Sequence, residues 1–394
     1  PSHRILALNR GEKEGCLKVD IEMDEERSLE FLKEMFKKKN GDYGEIMDEV
    51  IADSYSRLIE TSIAREIRNI LTDIANEQAI KMFELNLRPL LMQPPLKGKV
   101  VLGFDPAYRT GCKLAVVDAN GNLLDFKVAY PTPPQNDIEG AKTIIKDLIN
   151  KYKIDVISIG NGTASKESEI FVANLLKEVD RPVTYAMTNE AGASVYSASK
   201  LGTEEFPQYD VTVRSATSIA RRLQDPLAEL IKIDTKSIGV GQYQHDMPQA
   251  RLGQVLDGVV EDCVNSVGVD LNTASYPLLA RISGLNMGTA KKIVEYRKDH
   301  GAFKTRSELL NVPKFGEKAF TQCAGFLRIV GADNILDNTA VHPESYAAAE
   351  KMLKTLGYSE DDVKNNGVEL LRKKAEHYGL EKLAEECGVG VPTL

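Results

Sequence analysis

Ile282-Ser-Gly-Leu-Asn-Met-Gly-Thr-Ala-Lys-Lys-Ile-Val-Glu-Tyr-Arg297 is the stretch on which the reading of this chain turns. An apolar helix end runs into a tight turn containing Gly284, and a second amphipathic helix opens with Gly288, Thr289 and Ala290. Helix, glycine turn, helix is the pattern of a helix-hairpin-helix module. Its glycines let the backbone approach a phosphate, and amides at the start of the second helix point outward at it. Such a module grips sugar and phosphate without reading bases.

Working outward, the turn comprises Gly284, Leu285, Asn286, Met287 and Gly288, and Lys291 and Lys292 lie one helical turn further on, placed for flanking phosphates. Arg297, Lys304 and Arg306 extend the same basic run. A second hairpin is read at Val312-Pro-Lys-Phe-Gly-Glu-Lys318, which adds Lys314, Gly316 and Lys318. Packing alone is the competing reading of both turns, and for the second turn Phe315-Gly316 would be its carrier. Between Arg281 and Arg328, ten Lys/Arg stand against four Asp/Glu, a local +6 in a chain whose formal net charge is −8. A basic island on an acidic body suits a phosphate ligand, whereas the whole-chain charge argues against a uniformly basic binder.

At 394 residues the chain is expected to hold two to four domains. Its 42% hydrophobic content is ordinary for a globular protein. No run of about 18 apolar residues points to a membrane span, and no leader is read, so no membrane partner is expected. The start at Pro1 and the stop at Leu394 read as a piece of a longer protein. The 5 cysteines are widely spaced without a CxxC pair. Neither a zinc site nor a disulfide framework is therefore expected, and a reducing cytoplasm fits.

Four segments are predicted. Residues 1–96 are mostly helical, with two strand-like runs, Ile5–Leu8 and Cys16–Val19, and a helical period at Ile59, Ile63, Ile67, Ile70 and Ile74 within 24–92. Residues 97–224 begin with apolar strands Val100–Asp105 and Leu114–Asp118, turn at Asn120-Gly121 into Leu123–Ala129, and continue with alternating helices and strands. Three antiparallel strands followed by βαβ crossovers is the order of a ribonuclease-H-like domain. Residues 225–330 are helical with the tandem hairpins, and 331–394 form a mixed helical tail. The fold class is thus α+β and multidomain, a ribonuclease-H-like mixed sheet flanked by helical domains.

Several long motifs carry a family resemblance. Gly103-Phe-Asp-Pro-Ala-Tyr-Arg-Thr-Gly111 resembles the first strand of YqgF-type, ribonuclease-H-like domains. Asn189–Ser199, Ala220–Pro226, Val240–Asp246, Val267–Ser275 and Ala324–Ile329 resemble the Tex family of bacterial transcription accessory proteins, which is related to a eukaryotic elongation factor. The resemblance spans essentially the whole chain. It implies nucleic-acid binding in transcription, on RNA or DNA and independent of sequence, with the transcription machinery as a further partner. It also implies a helix-turn-helix region before Pro1 and an S1 RNA-binding domain after Leu394.

The ribonuclease-H-like reading raises nuclease chemistry, which needs three or four carboxylates around one or two Mg²⁺ ions. Asp105 stands at the end of the central strand, and Glu190 follows the fifth. The fourth strand ends Gly160-Asn-Gly-Thr163 without an acid, and alignment of the last helix puts Arg214 at the remaining acid position. Asp210, Asp246 or Asp118 are the substitutes. The expectation is therefore no enzyme, no cofactor and no metal. A Mg²⁺-dependent nuclease on Asp105 and Glu190 is one alternative, and a protein-interaction scaffold is the other. Arg214 is expected to favour a bound phosphate. Gly160–Thr163 reads as a tight turn rather than a nucleotide loop, and His245-Asp246 as a cap or core pair rather than metal ligands.

Overall fold

A computed structural model describes residues 1–36, 43–364 and 367–394. Residues 37–42, within the stretch read as helical, and 365–366, within the tail, lie outside the described residues. The chain divides into two compact units, Pro1–Leu87 with Val240–Leu256, and Arg88–Gly239 with Asp257–Leu394.

The first unit is built on helices α1 (Ser2–Lys13), α2 (Glu25–Phe36), α3 (Gly44–Ser54) and the long α4 (Glu60–Leu91). The expected strand Ile5–Leu8 is instead part of α1, and Cys16–Val19 takes no regular form. A four-residue apolar run does not distinguish strand from helix. Here Arg68 of α4 settles it by donating to Asn9 Oδ1 at 3.0 Å, Glu12 Oε2 at 2.8 Å and Val19 O at 3.0 Å. The isoleucine period on α4 is helical as expected, yet Ile63, Ile67, Ile70 and Ile74 are exposed, and Ala75, Ala79, Ile80, Phe83 and Leu87 form the buried side. Asp246 is no metal ligand in this arrangement, since Arg10 (3.0 Å) and Lys13 (3.2 Å) hold its two oxygens.

The second unit carries a five-stranded sheet of order β3-β2-β1-β4-β5, from β1 (Val101–Asp105), β2 (Cys112–Val117), β3 (Leu123–Ala129), β4 (Val156–Gly160) and β5 (Thr184–Thr188). β1 is antiparallel to β2 and parallel to β4, and β5 continues parallel. This is the mixed sheet expected from the strand order. One face is covered by α5 (Ile138–Tyr152) and α6 (Ser165–Leu176), whose Ile145, Ile149, Phe171 and Val172 pack with Leu102, Phe104 and Ile157. Asp137 caps α5 by accepting from Gly140 N at 3.0 Å. The other face takes α9 (Val211–Gln224), on which α7 (Ala193–Ala198) packs with α8 (Lys200–Glu205) beside it. α9 approaches so closely that a Cβ at Gly103 would overlap Ala216 O and reach 3.0 Å from Ala220 Cβ. A glycine inside a central strand, opposite alanines, is what that approach requires.

After α10 (Pro226–Leu230) and α11 (Gln249–Val267), the chain forms the tandem hairpins. They comprise β6 (Val269–Asp270), α12 (Tyr276–Leu279), α13 (Met287–His300), α14 (Glu317–Cys323) and β7 (Leu327–Arg328). β6 and β7 pair in parallel and tie the first element of the pair to the last. Helices α15 (Tyr346–Thr355), α16 (Glu360–Lys364), α17 (Leu371–Tyr378) and α18 (Leu380–Cys387) complete the unit.

Candidate nucleic-acid interface

The first hairpin turns between α12 and α13. Leu285 N–H donates to Ile282 O at 3.0 Å, and Gly284 sits at φ +82°. A Cβ there would lie 2.5 Å from Gln322 Cβ, so this turn is seated against α14 of the second hairpin. Left-handed backbone and close approach both demand glycine. Gly288 differs, because its φ is ordinary and a Cβ would meet only Asn286 Oδ1, at 3.2 Å.

Asn286 is the N-cap of α13. Its Oδ1 accepts from Gly288 N (2.9 Å) and Thr289 N (3.0 Å), while Thr289 Oγ1 accepts from Asn286 N at 2.9 Å. This is a reciprocal capping box. Two of the helix-start amides expected to face phosphate, those of Gly288 and Thr289, are thus bonded to the hairpin's own Asn286 side chain. The spacing Asn286-Met-Gly-Thr289 carried that signal.

The second hairpin repeats the turn thirty positions on. Phe315 N–H donates to Val312 O at 3.0 Å, and Lys314 holds the left-handed place of Gly284, at φ +63°. A non-glycine residue there is uncommon. Phe315 is buried, as the packing reading required, but Gly316 is exposed and starts α14 with no side-chain cap. Lys314 and Lys318 flank this uncapped start, both exposed.

The remaining predicted cations divide by burial. Lys291 is exposed with Nζ 5.0 Å from the Tyr276 ring centre, Lys292 is half-buried, and Lys304 is exposed. Arg297 is half-buried and donates to Leu271 O at 2.9 Å, and burial lowers its pKa from the usual guanidinium value. Arg306 is 1% exposed. It donates to Leu327 O, Val341 O, Thr339 O and the Tyr346 hydroxyl, and pairs with Asp337. Its charge organises the hairpin interior and does not reach the surface.

At the sheet, Asp105 ends β1 opposite Lys113. Burial raises its pKa, against a hydrogen bond with Ser215 and the charge of Lys113. Glu190 is raised too, first by burial and then by the charge of Asp105, against a Gly162 N–H bond and Arg222. A Cβ at Gly162 would overlap the Glu190 carboxyl group, so an acidic side chain already fills the Gly160–Thr163 loop. Arg214 does not face this pair. It is buried and donates to Phe206 O, Ser197 O and Thr203 Oγ1, which removes it as a phosphate ligand. Ser215 takes the place beside Asp105. The substitutes are engaged as well: Asp210 caps α9, and Asp118 holds the turn through Asn120 N and Asn122 N. Among the described residues, no three or more His, Cys, Asp or Glu gather as a metal site. Two carboxylates beside a serine and a buried arginine do not fit a two-metal centre.

Comparisons with known proteins agree along the chain. The Tex central region-like family matches residues 1–83, the Tex protein YqgF-like domain 99–224, a helix-hairpin-helix motif 264–328 and an HHH domain 334–394. YdcI of Bacillus subtilis is 50% identical over 393 residues, covering 100% of this chain and 54% of that protein. Protein tex of Bordetella pertussis is 49% identical over 368 residues, covering 90% and 46%. The transcriptional accessory protein Tex of Neisseria gonorrhoeae is 44% identical over 403 residues, covering 100% and 52%. The chain therefore spans about half the length of these relatives. Among the described residues, no helix is long and apolar enough to cross a membrane.

Proposed function

The chain belongs to the Tex family, and from that premise we propose that it is a nucleic-acid-binding core that grips the sugar-phosphate backbone, independent of base sequence, through its tandem hairpins. The observation that carries the reading is the uncapped start of α14 at Gly316 with Lys314 and Lys318 exposed on either side. Lys291 and Lys304 extend the cationic surface, and Gly284 and Asn286 shape the adjoining turn. Arg297 and Arg306 leave the set of phosphate ligands because their guanidinium groups serve the hairpin backbone. Phosphate contacts position a duplex without specifying it, so unrelated sequences should bind with equal affinity. Titration of four unrelated duplexes and four unrelated single strands tests this, and a strong preference for one sequence counts against it.

We further propose that the ribonuclease-H-like domain serves as scaffold and does not cleave. Of the predicted acids, Asp105 and Glu190 meet as a pair, and Asp118, Asp210 and Asp246 are engaged elsewhere. Hard divalent cations favour several charged oxygens. Incubation with duplex, branched and single-stranded substrates in Mg²⁺ or Mn²⁺ checks this, and cleavage abolished by Asp105→Asn would restore the nuclease reading. The name of the Neisseria relative, transcriptional accessory protein, supports a role in transcription, beside the transcription machinery. Co-purification of the intact protein with RNA polymerase is its test.

A further inference from the structure

Beside the hairpins stands a column of three rings. Phe303 is 2% exposed and forms the base. Tyr296 stacks on it with ring centres 5.4 Å apart and planes at 23°. His300 also stacks on Tyr296, at 4.1 Å and 11°. His300 is the exposed end of the column. Because one of its faces is covered by Tyr296, the exposure belongs to the opposite face and the ring edge.

The column is held rigidly. Asn272 clamps the Phe303 backbone from both sides, accepting from Phe303 N at 2.8 Å and donating to Phe303 O at 2.9 Å. His300 Nδ1 lies 3.1 Å from Tyr296 O, which fixes the imidazole plane. α13 ends at once on Gly301, at φ +89°, where a Cβ would meet nothing within 4 Å. Lys298 and Lys304, both exposed, lie on the two sides of His300 in sequence.

An i, i+4 aromatic pair stabilises a helix by a few tenths of a kcal/mol. That accounts for Tyr296 with His300, but not for a third ring packed on Tyr296 or for the exposure of the outermost ring. Single-stranded nucleic acid is bound where aromatic faces take unstacked bases beside a cationic track. We propose that the outer face of His300 is a stacking platform for one unpaired nucleobase, so that the hairpins' phosphate grip is joined by a contact open only to single strands or unpaired junctions. Stacking tolerates any base, which keeps the site compatible with sequence-independent binding. This inference rests on the phosphate-binding reading above.

The test compares wild type, His300→Ala and His300→Phe on a 12-nucleotide single strand carrying 2-aminopurine and on a blunt duplex of equal length. His300→Ala should weaken single-strand binding by about 5- to 140-fold, the range of one base–aromatic stack. It should leave duplex affinity unchanged and abolish the quenching of 2-aminopurine. His300→Phe should retain both the affinity and the quenching. Circular dichroism and the unfolding midpoint confirm that each variant is folded. Equal single-strand affinity for all three proteins overturns the platform while leaving the phosphate grip standing. Parallel loss on duplex and single strand also overturns it, since the ring would then act only through the helix. No binding of either probe by wild type overturns the phosphate-binding reading and the platform together.

Discussion

Arg306→Ala separates a charge that builds the hairpin domain from one that contacts nucleic acid. In the structure the guanidinium makes bonds of 3.0 Å and 2.6 Å to Leu327 O, 2.6 Å to Val341 O and 2.8 Å to the Tyr346 hydroxyl. It also bonds Thr339 O and stands 3.9 Å from Asp337. Truncation removes the donor to Val341 O and Thr339 O and leaves Asp337 buried without its cation, while Leu327 O keeps Arg328 Nη1 at 2.9 Å. Asp337 keeps the Arg306 amide (3.1 Å) and the Tyr346 hydroxyl (2.5 Å), which limits the damage. Breaking a buried ion pair from one side costs about 3–5 kcal/mol, and the lower half of that range is expected here. With two units the chain is not a two-state system, so the cost should appear in the unfolding of the hairpin unit. The protein contains no Trp. Urea titration by circular dichroism, with hydrogen exchange of residues 264–346, therefore reads the effect. Under conditions where the variant stays folded, the salt slope of duplex binding should equal that of wild type. A loss below about 1 kcal/mol, or a slope flattened by one phosphate contact, would refute this assignment of Arg306.

Asn286→Ala should cost about 1 kcal/mol as a lost helix cap without abolishing binding, because the amides it releases face solvent; a tenfold affinity loss in a folded variant would assign Asn286 to the ligand. Gly284→Val should destabilise by about 2–4 kcal/mol, from left-handed strain and the contact with Gln322. Gly288→Ala should stay within about 0.5 kcal/mol of wild type, and thermal unfolding of the two variants side by side checks the contrast. Asp105→Asn should raise the unfolding temperature near pH 8. Both Asp105 and Glu190 are raised above their ordinary values, so their favourable contribution is present at acid pH and is lost as pH rises through the folded values. Neutralising Asp105 removes that loss, so the gain should fade toward pH 4. A gain largest at pH 4 contradicts the assigned direction.

Much of this architecture is written in local chemistry. Asn120-Gly121 turns β2 into β3, Asp137 and Asp225 start helices they cap, and Gly103 in a strand of large apolar residues marks where α9 lies close. The hairpins announce themselves through Gly284 and Pro313-Lys314. What the sequence concealed is burial and phase. Arg306 counts as one more cation in a basic run, and only the packing of Leu327, Thr339 and Val341 around it shows the charge turned inward. Arg214 and Ser215 are neighbours, yet one residue rotates a helical side chain by about a quarter turn. That rotation separates a buried structural guanidinium from the group beside Asp105. The isoleucine period on α4 gives the helix but not which face is buried, since periodicity names a stripe without naming its cover. The column of Phe303, Tyr296 and His300 was similarly out of reach, because Phe303 lies beyond the end of α13.

The central claim is that the second hairpin's uncapped turn grips phosphate. Its most direct test is the salt dependence of duplex binding for wild type and for Lys314→Gln with Lys318→Gln. If both lysines neutralise phosphates, log K against log salt should flatten by about 1.8 units. Affinity should fall equally for every sequence tried, and the unfolding midpoint should not change. An unchanged slope in the folded double variant, with wild type still binding, would contradict the account and move the interface away from the second hairpin.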